Sequence, residues 1–379
     1  RRRVTAGSTF ITITRPARTR VEFTSFLIRD LDMNNTKGLL DRIAEGPVIC
    51  AEGYLFELER RGYLSAGAYV PEVVLDHPEV VAQLHRDFVH AGSDIVEAFT
   101  YYAHREKLRQ LGKEELLEQM NRTALQIAKE VTQETSTLLA GNICNTNAYI
   151  EGDAESLKFV RTMFDEQVGW AVDAGVDFII AETIDFSGEA MIALEAIKKT
   201  NLPAVVTLAI HRNGVTLDGM APEDACKRLE DAGADVVGLN CARGPETLLP
   251  LLGPICEAVA CPVAALPVTY RTKHSEPTFQ SLRDTACNCI PDDQPFPVAL
   301  DPFTCNRYEI QEFTRAARDL GVTYFGLCCG AAPHHVRSMA EALGRQPPAS
   351  RYAPNMAMHS FFGTADVIRK EYQNYKSDL

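Results

Sequence analysis

Eight short stretches of nearly unbroken apolar residues recur along the chain. They are "PVICAEG" (47–53), "DIVEAFTYY" (94–102), "TLLAGNICN" (137–145), "DFIIAETI" (177–184), "AVVTLAI" (204–210), "DVVGLNC" (235–241), "PVAALPV" (262–268) and "YFGLCCG" (324–330). Continuous rather than alternating runs are what strands of a parallel sheet, buried on both faces, require. Between them lie segments with helical spacing. "HPEVVAQLHRDFVHAGS" places Val80, Leu84 and Phe88 on one face, and "NRTALQIAKEVTQE", "EQVGWAVDAGV", "SGEAMIALEAIKK" and "EDACKRLEDAGA" behave alike. Glycine closes several of these segments, in "HAGSD", "DAGVD", "DAGAD" and "DLGVT", where a left-handed cap is expected before the next strand. Eight strand–helix beats predict an α/β fold, a closed (β/α)8 TIM barrel. An open doubly wound sheet would want a glycine-rich phosphate loop after its first strand, and "AEGYLF" is not one.

A parallel barrel carries its chemistry at the carboxyl ends of its strands. The residues ending the runs therefore matter most: Glu52, Gly53, Thr100, Tyr101, Tyr102, Asn145, Glu182, Cys241, Cys328 and Cys329. The rhythm breaks over residues 267–323, where "PDDQPFPVALDPFTC" reads as a lid or wall of the mouth, closed by the helix "RYEIQEFTRAARDLG". The pattern divides the chain into an N-terminal extension (1–25), a barrel (26–344) and a C-terminal arm (345–379), too small to fold alone and suited to pack on a partner subunit or across the barrel. Residues 1–21 are rich in Arg, Ser and Thr without an acid, which fits an organelle transit segment or a solvated tail.

A net charge of −13 points away from nucleic acid and anionic membranes as partners, and no apolar run is long enough to span a bilayer. Eleven cysteines, an odd count scattered over 379 residues, read as thiols in a reducing compartment: the cytoplasm, or an organelle if residues 1–21 are a transit segment. Most of them, such as Cys50, Cys144, Cys226, Cys256, Cys261 and Cys305, suit the role of small buried apolar residues. Cys287 and Cys289 lie in a polar loop, where a metal site would need further ligands that the neighbourhood does not offer.

Cys328 and Cys329 are different. Neighbours in a strand point to opposite faces, so two adjacent thiols act together only if the chain turns there, and Gly330 permits the turn. Cys241, at the end of the sixth run, brings a third sulfur to the same rim. Three cysteine ligands suit Zn²⁺, with the fourth position of a tetrahedron left for a substrate. Packing of all three as small core residues, or a strained vicinal disulfide, are the alternatives.

The segments 53–108 ("GYLFELERRGYL…AFTYYAHREKL"), "VVGLNCARGP" and "GLCCGAAPHHVRSMAEAL" resemble the betaine–homocysteine S-methyltransferases, a branch of the zinc-dependent homocysteine methyltransferases. The likeness runs from about residue 40 into the arm, through "PPASRYAP" and "IRKEYQNYK". It implies Zn²⁺ held by Cys241, Cys328 and Cys329, and homocysteine held by its ammonium group at Glu52 and Glu182 and by its carboxylate near the backbone of Gly53. A carboxylate exposed at the rim, for Glu52, and a helix N-cap, for Glu182, are the plainer readings. The methyl donor implied is an onium cation such as betaine, which aromatic faces can hold without a hydrogen bond. Tyr102 matches a donor-site tyrosine, Tyr101 stands beside it, and Tyr69 falls where the betaine enzymes carry tryptophan. Thr183 replaces a further donor-site tyrosine, and Glu52-Gly53-Tyr54 replaces Asp-Gly-Gly; betaine stays the favoured donor, but the lost ring and Tyr69 weaken its case, and a sulfonium donor such as S-methylmethionine or a dimethylsulfonio acid fits the same logic. The resemblance further implies a homo-oligomer built through the arm. Betaine would yield dimethylglycine and methionine by direct in-line transfer. A non-catalytic, zinc-stabilised barrel is the reading from a different class.

Overall fold

The structure is a computed structural model and describes residues 37–286 and 289–379. The arginine-rich start, the opening of the expected barrel domain before residue 37 and Cys287 lie outside the described residues. The eight apolar runs form eight strands: β1 (Val48–Ala51), β2 (Ile95–Glu97), β3 (Leu138–Cys144), β4 (Phe178–Ile184), β5 (Ala204–Leu208), β6 (Val236–Asn240), β7 (Val263–Leu266) and β8 (Tyr324–Leu327). They pair in sequence order, all parallel, and β8 closes on β1 through Val48↔Tyr324 and Cys50↔Gly326.

Side-chain parity divides each strand between two cores. Val48, Cys50, Ile95, Leu138, Ala140, Phe178, Ile180, Val205, Val236, Ala264, Leu266 and Tyr324 fill the barrel interior, and Leu39 and Ile43 of the helix Leu39–Glu45 join them. The alternate residues face the surrounding helices in a larger core. On the helix Pro78–Ala91 the buried face is Val81, Leu84, His85 and Phe88; Val80 is only half-buried, one position off the expected stripe.

The glycines expected to end helices do so with positive φ: 119° at Gly92, 76° at Gly175, 96° at Gly233 and 105° at Gly321. Three of them are followed two residues later by an aspartate with a common task. Asp94 accepts a hydrogen bond from the Ile49 N–H at 2.8 Å, Asp177 from Leu139 at 2.7 Å and Asp235 from Ala204 at 2.8 Å. Each carboxylate thus clamps the foot of an even strand to the odd strand before it. Thr323 holds the corresponding place before β8, and its hydroxyl bonds nothing.

The long β7–β8 connection builds a wall over the mouth, using short 3-10 turns at Phe279–Ser281, Pro291–Asp293 and Asp301–Phe303 before the helix Arg307–Leu320. Within it Cys289 is disulfide-bonded, which corrects the reading of every cysteine as a thiol; nine other cysteines among the described residues are free. A cysteine in a polar loop carries no sequence signal that tells a disulfide from a metal ligand or a free thiol. After the helix Pro333–Ala342, Arg345 forms a two-pronged ion pair with Asp94, fixing the start of the arm to the barrel. The arm then runs through short turns and leaves Met356, Val367, Tyr375 and Leu379 exposed. No helix among the described residues is long and apolar enough to cross a membrane.

Candidate metal and substrate site

At the carboxyl rim the sulfurs of Cys241, Cys328 and Cys329 all lie within 4.8 Å of one another. Cys328 continues the inward parity of Tyr324 and Gly326, so its thiol points into the barrel by register alone. Cys329 reaches the same point because the chain turns. Gly330 takes φ +85°, and the Ala331 N–H donates back to the Cys328 carbonyl at 3.1 Å. Cys241 arrives by another turn, in which it and Ala242 take φ 57° and 53° in succession. Arg243 locks that turn by donating to the carbonyls of Ile210 (2.8 Å) and His211 (2.6 Å). Such conformations cost non-glycine residues energy and gather where function requires them.

Cys241 Sγ stands 3.6 Å from Cys329 Sγ, and Cys328 Sγ 3.9 Å from Cys329 Sγ. Sulfurs bound at about 2.3 Å to one tetrahedral centre stand roughly 3.8 Å apart, so the spacing suits a single metal ion. Hydrogen bonds from its two sulfur neighbours, Cys328 first, hold the Cys241 thiol well below its ordinary range. One of the three is thereby readied as a thiolate ligand.

Beside the sulfurs lie three buried carboxylates. Glu52 is 8% exposed, Glu97 2% and Glu182 4%. Asn142 from β3 uses its one amide nitrogen twice, donating to Glu97 and, at 2.7 Å, to Glu182. Asn240 from β6 donates to the other Glu182 oxygen at 2.9 Å and to Thr183 Oγ1 at 2.8 Å. Glu182 is therefore neither an N-cap nor a water-washed side chain. Nor is Glu52 an exposed rim carboxylate: it faces Glu182, and no amide, hydroxyl or basic group of the described residues donates to either of its oxygens. Burial pushes all three carboxyls up, Glu182 to about 7; Glu182 then adds to the shifts of Glu52 and Glu97. Like charges in a dry place without a cation explain the direction.

The three sulfurs, the three carboxyls and Asn142 line one tight cavity of about 30 Å³, together with Tyr54, Leu55, Phe99 and Tyr101. Of the tyrosines expected for a donor, Tyr101 lines this cavity. Tyr102 packs on it with ring centroids 4.4 Å apart, and Lys107 Nζ sits 4.6 Å from the Tyr102 ring centre. Tyr69 is half-buried against Phe56, 5.6 Å between centroids, with its hydroxyl unbonded. Thr183, at φ 56° beside a register shift in β4, gives its N–H to Asn240 Oδ1 at 2.8 Å. Gly53 leads into the helix Tyr54–Arg60 and lies against the cysteine turn: a Cβ there would come within 2.6 Å of the Ala331 side chain. Sequence reasoning missed Glu97, Asn142 and Asn240. The signal available was a polar residue at an inward-facing position of an otherwise apolar strand.

A parallel barrel whose rim gathers three metal-spaced sulfurs and three buried carboxylates has the build of a barrel enzyme with an active centre at the strand ends. Residues 49–343 match the family model described as homocysteine S-methyltransferase, and the chain belongs to that family. Betaine–homocysteine S-methyltransferase 1 of Danio rerio is 34% identical over 351 residues, covering 90% of this chain and 86% of that protein. The S-methylmethionine–homocysteine S-methyltransferase of Rattus norvegicus is 33% identical over 347 residues, covering 89% and 92%. Among solved structures, the metallated form of the homocysteine methyltransferase MmuM from Escherichia coli shares the fold. Its TM-score is 0.61 at 16% identity, over 79% of this chain and 98% of that one.

Proposed function

We propose that this protein transfers a methyl group from an onium donor, betaine foremost, to the sulfur of homocysteine, giving methionine and dimethylglycine. The observation that carries the reading is the pairing of two incomplete sets in one cavity: three sulfurs spaced for one metal ion, and buried carboxyls beside which no lysine or arginine of the described residues stands. Homocysteine offers what each lacks, a thiol and an ammonium group about one short side chain apart.

Cys241, Cys328 and Cys329 would hold Zn²⁺, whose chemistry when bound is to lower the pKa of a thiol that shares it. Glu52 and Glu182 take the substrate ammonium, Glu182 being held in place by Asn142 and Asn240. The main chain around Gly53 takes the substrate carboxylate. Tyr101 presents its ring to the onium, with Tyr102, Tyr69 and Thr183 shaping the donor side. In the transfer the carbon–sulfur bond forms as the carbon–onium bond breaks. The leaving group keeps that electron pair and departs as a neutral amine or sulfide, so no side chain has to move a proton in this step. Seating both substrates requires the lining to move outward, since the closed cavity is smaller than either.

Thr183 favours a second donor class. It spends its polar groups on Glu182 and Asn240 and presents no ring, which suits a sulfonium donor as well as a quaternary ammonium. The arm supports assembly with a second copy through its exposed apolar side chains, and the nine free thiols suit the cytoplasm. Incubating zinc-loaded protein with homocysteine and a panel of onium donors, and measuring methionine, tests the reading. Methionine from betaine supports it, methionine from sulfonium donors alone selects the second class, and none from any donor refutes both. Cys241→Ala separates catalytic from structural metal: we expect a folded, inactive variant, whereas a purely structural site would give an unfolded one.

A further inference from the structure

Glu97 has no part in the reaction as set out above, yet it is the most deeply buried of the three carboxylates. Its position is set by register: Ile95 and Glu97 share the inward parity of β2, which places Glu97 in the layer directly beneath the rim. One oxygen accepts from the Asn142 amide, and the other accepts from the Cys50 thiol at 3.6 Å. The Asn142 amide gives its second hydrogen to Glu182. Glu97 therefore anchors the donor that aims Glu182 into the cavity. It also lies, with Cys50, within 4.8 Å of the Glu52 carboxyl. Among the described residues no lysine or arginine lines the cavity. A cavity for one amino acid thus carries one more carboxylate than two-point capture of an ammonium requires.

We propose that Glu97 is a positioning and specificity residue that makes the cavity select its thiol substrate by the α-ammonium group. It acts in two ways: by fixing Asn142, and hence Glu182, and by adding a third buried carboxyl that a substrate bearing an ammonium group can hold as the anion and a thiol without one cannot. The occupant it disfavours is a thiol of similar length without the amine, because that thiol leaves the buried carboxylates unmatched. The inference rests on the homocysteine reading of the cavity and deepens it.

The test compares homocysteine with 4-mercaptobutanoate, its counterpart lacking the amine, using the zinc-loaded full chain and one donor. Wild-type protein, Glu97→Gln and Glu97→Asp are assayed for KM and kcat with each thiol. We expect Glu97→Gln to lower the homocysteine-to-mercaptobutanoate ratio of kcat/KM at least tenfold. The loss falls on the KM for homocysteine more than on kcat, and the constants for mercaptobutanoate hold or improve. Glu97→Asp, which keeps the charge at shorter reach, should fall between. A ratio within twofold of wild type in both variants overturns the proposal, as does a parallel loss for both thiols, the mark of a merely structural residue. If the glutamine variant fails to fold, the aspartate variant decides alone: a lowered ratio supports the proposal and an unchanged one overturns it. Wild-type protein that cannot methylate homocysteine would instead sink the parent reading, so the two failures are distinct.

Discussion

Gly330→Ala is the sharpest perturbation of the cysteine turn, because a matched control exists in the same chain. Gly330 and Gly344 have nearly the same backbone, φ +85° and +81°, but a Cβ at Gly344 would meet nothing within 4 Å. Gly344→Ala therefore reports the cost of a left-handed alanine by itself. That cost is about 1–2 kcal/mol, less the ~0.4–1 kcal/mol returned by a stiffer unfolded chain. A Cβ at Gly330 pays the same and also lands 2.5 Å from Cζ of Tyr270, where ordinary contact begins at 3.4 Å. The ring cannot easily yield. It stacks on Phe279 at 5.8 Å and 5°, and its hydroxyl accepts from Arg60 at 2.9 Å. Overpacking of this kind adds about 1–3 kcal/mol, so we expect Gly330→Ala to lose about 2–4 kcal/mol in all. The softer way out is displacement of the Cys328–Cys329 turn, which would transfer part of the strain to the metal site. At tenfold per 1.4 kcal/mol, zinc affinity should fall roughly 10- to 100-fold. Denaturant unfolding and chelator competition on both variants measure the two quantities. Equal stability and equal zinc retention in Gly330→Ala and Gly344→Ala would refute the argument that this glycine shapes the site.

Two further outcomes follow from the buried acids. Glu52→Gln should raise the melting temperature of the substrate-free protein by about 2–4 °C, since it takes one of three crowded carboxyls out of a buried site, a gain of about 1 kcal/mol, and its amide can donate to Glu182. The same change should raise the KM for homocysteine; a melting point that falls, or a KM that stays, contradicts the assignment. Glu189 is buried beneath the β3 end, accepts from the Thr146 N–H at 2.8 Å and the Thr146 hydroxyl at 2.5 Å, and is pushed up to about 7 by burial. The fold thus binds this proton more tightly than the unfolded chain does. Its stabilising contribution is present in full below about pH 4.5 and is lost as the pH rises through 7, at most about 3 kcal/mol. Glu189→Gln should flatten the stability profile between pH 5 and 7, and an unaltered slope in denaturant titrations would count against it.

How much of this was legible in the chain depended on whether a residue's direction could be counted from its strand. Cys328 followed from parity and Cys329 from the glycine after it, and the eight runs gave the barrel because its strands are buried on both faces. Glu97 and Asn142 were hidden inside runs that read as apolar, since an isolated polar residue shows its meaning only when neighbouring strands are in register. The tyrosines lay beyond such counting for another reason. The last N–H of β2 to reach β3 is that of Ala98, to the Ala140 carbonyl at 2.9 Å, and the Thr100 N–H then turns back to the Ala98 carbonyl at 2.8 Å. Beyond that turn, alternation no longer says whether Tyr101 or Tyr102 faces the cavity.

The aspartates at the strand feet give the barrel a grain. Asp94, Asp177 and Asp235 bind β1 to β2, β3 to β4 and β5 to β6, so the closed sheet is assembled from two-strand staves rather than eight equal slats. New chain ends opened at the exposed Asn201, between the second stave and the third, would sever none of these fastenings, which makes that seam the natural place for a circular permutation. The last stave, β7 with β8, has no such fastening, and it is the one that delivers two of the three sulfurs.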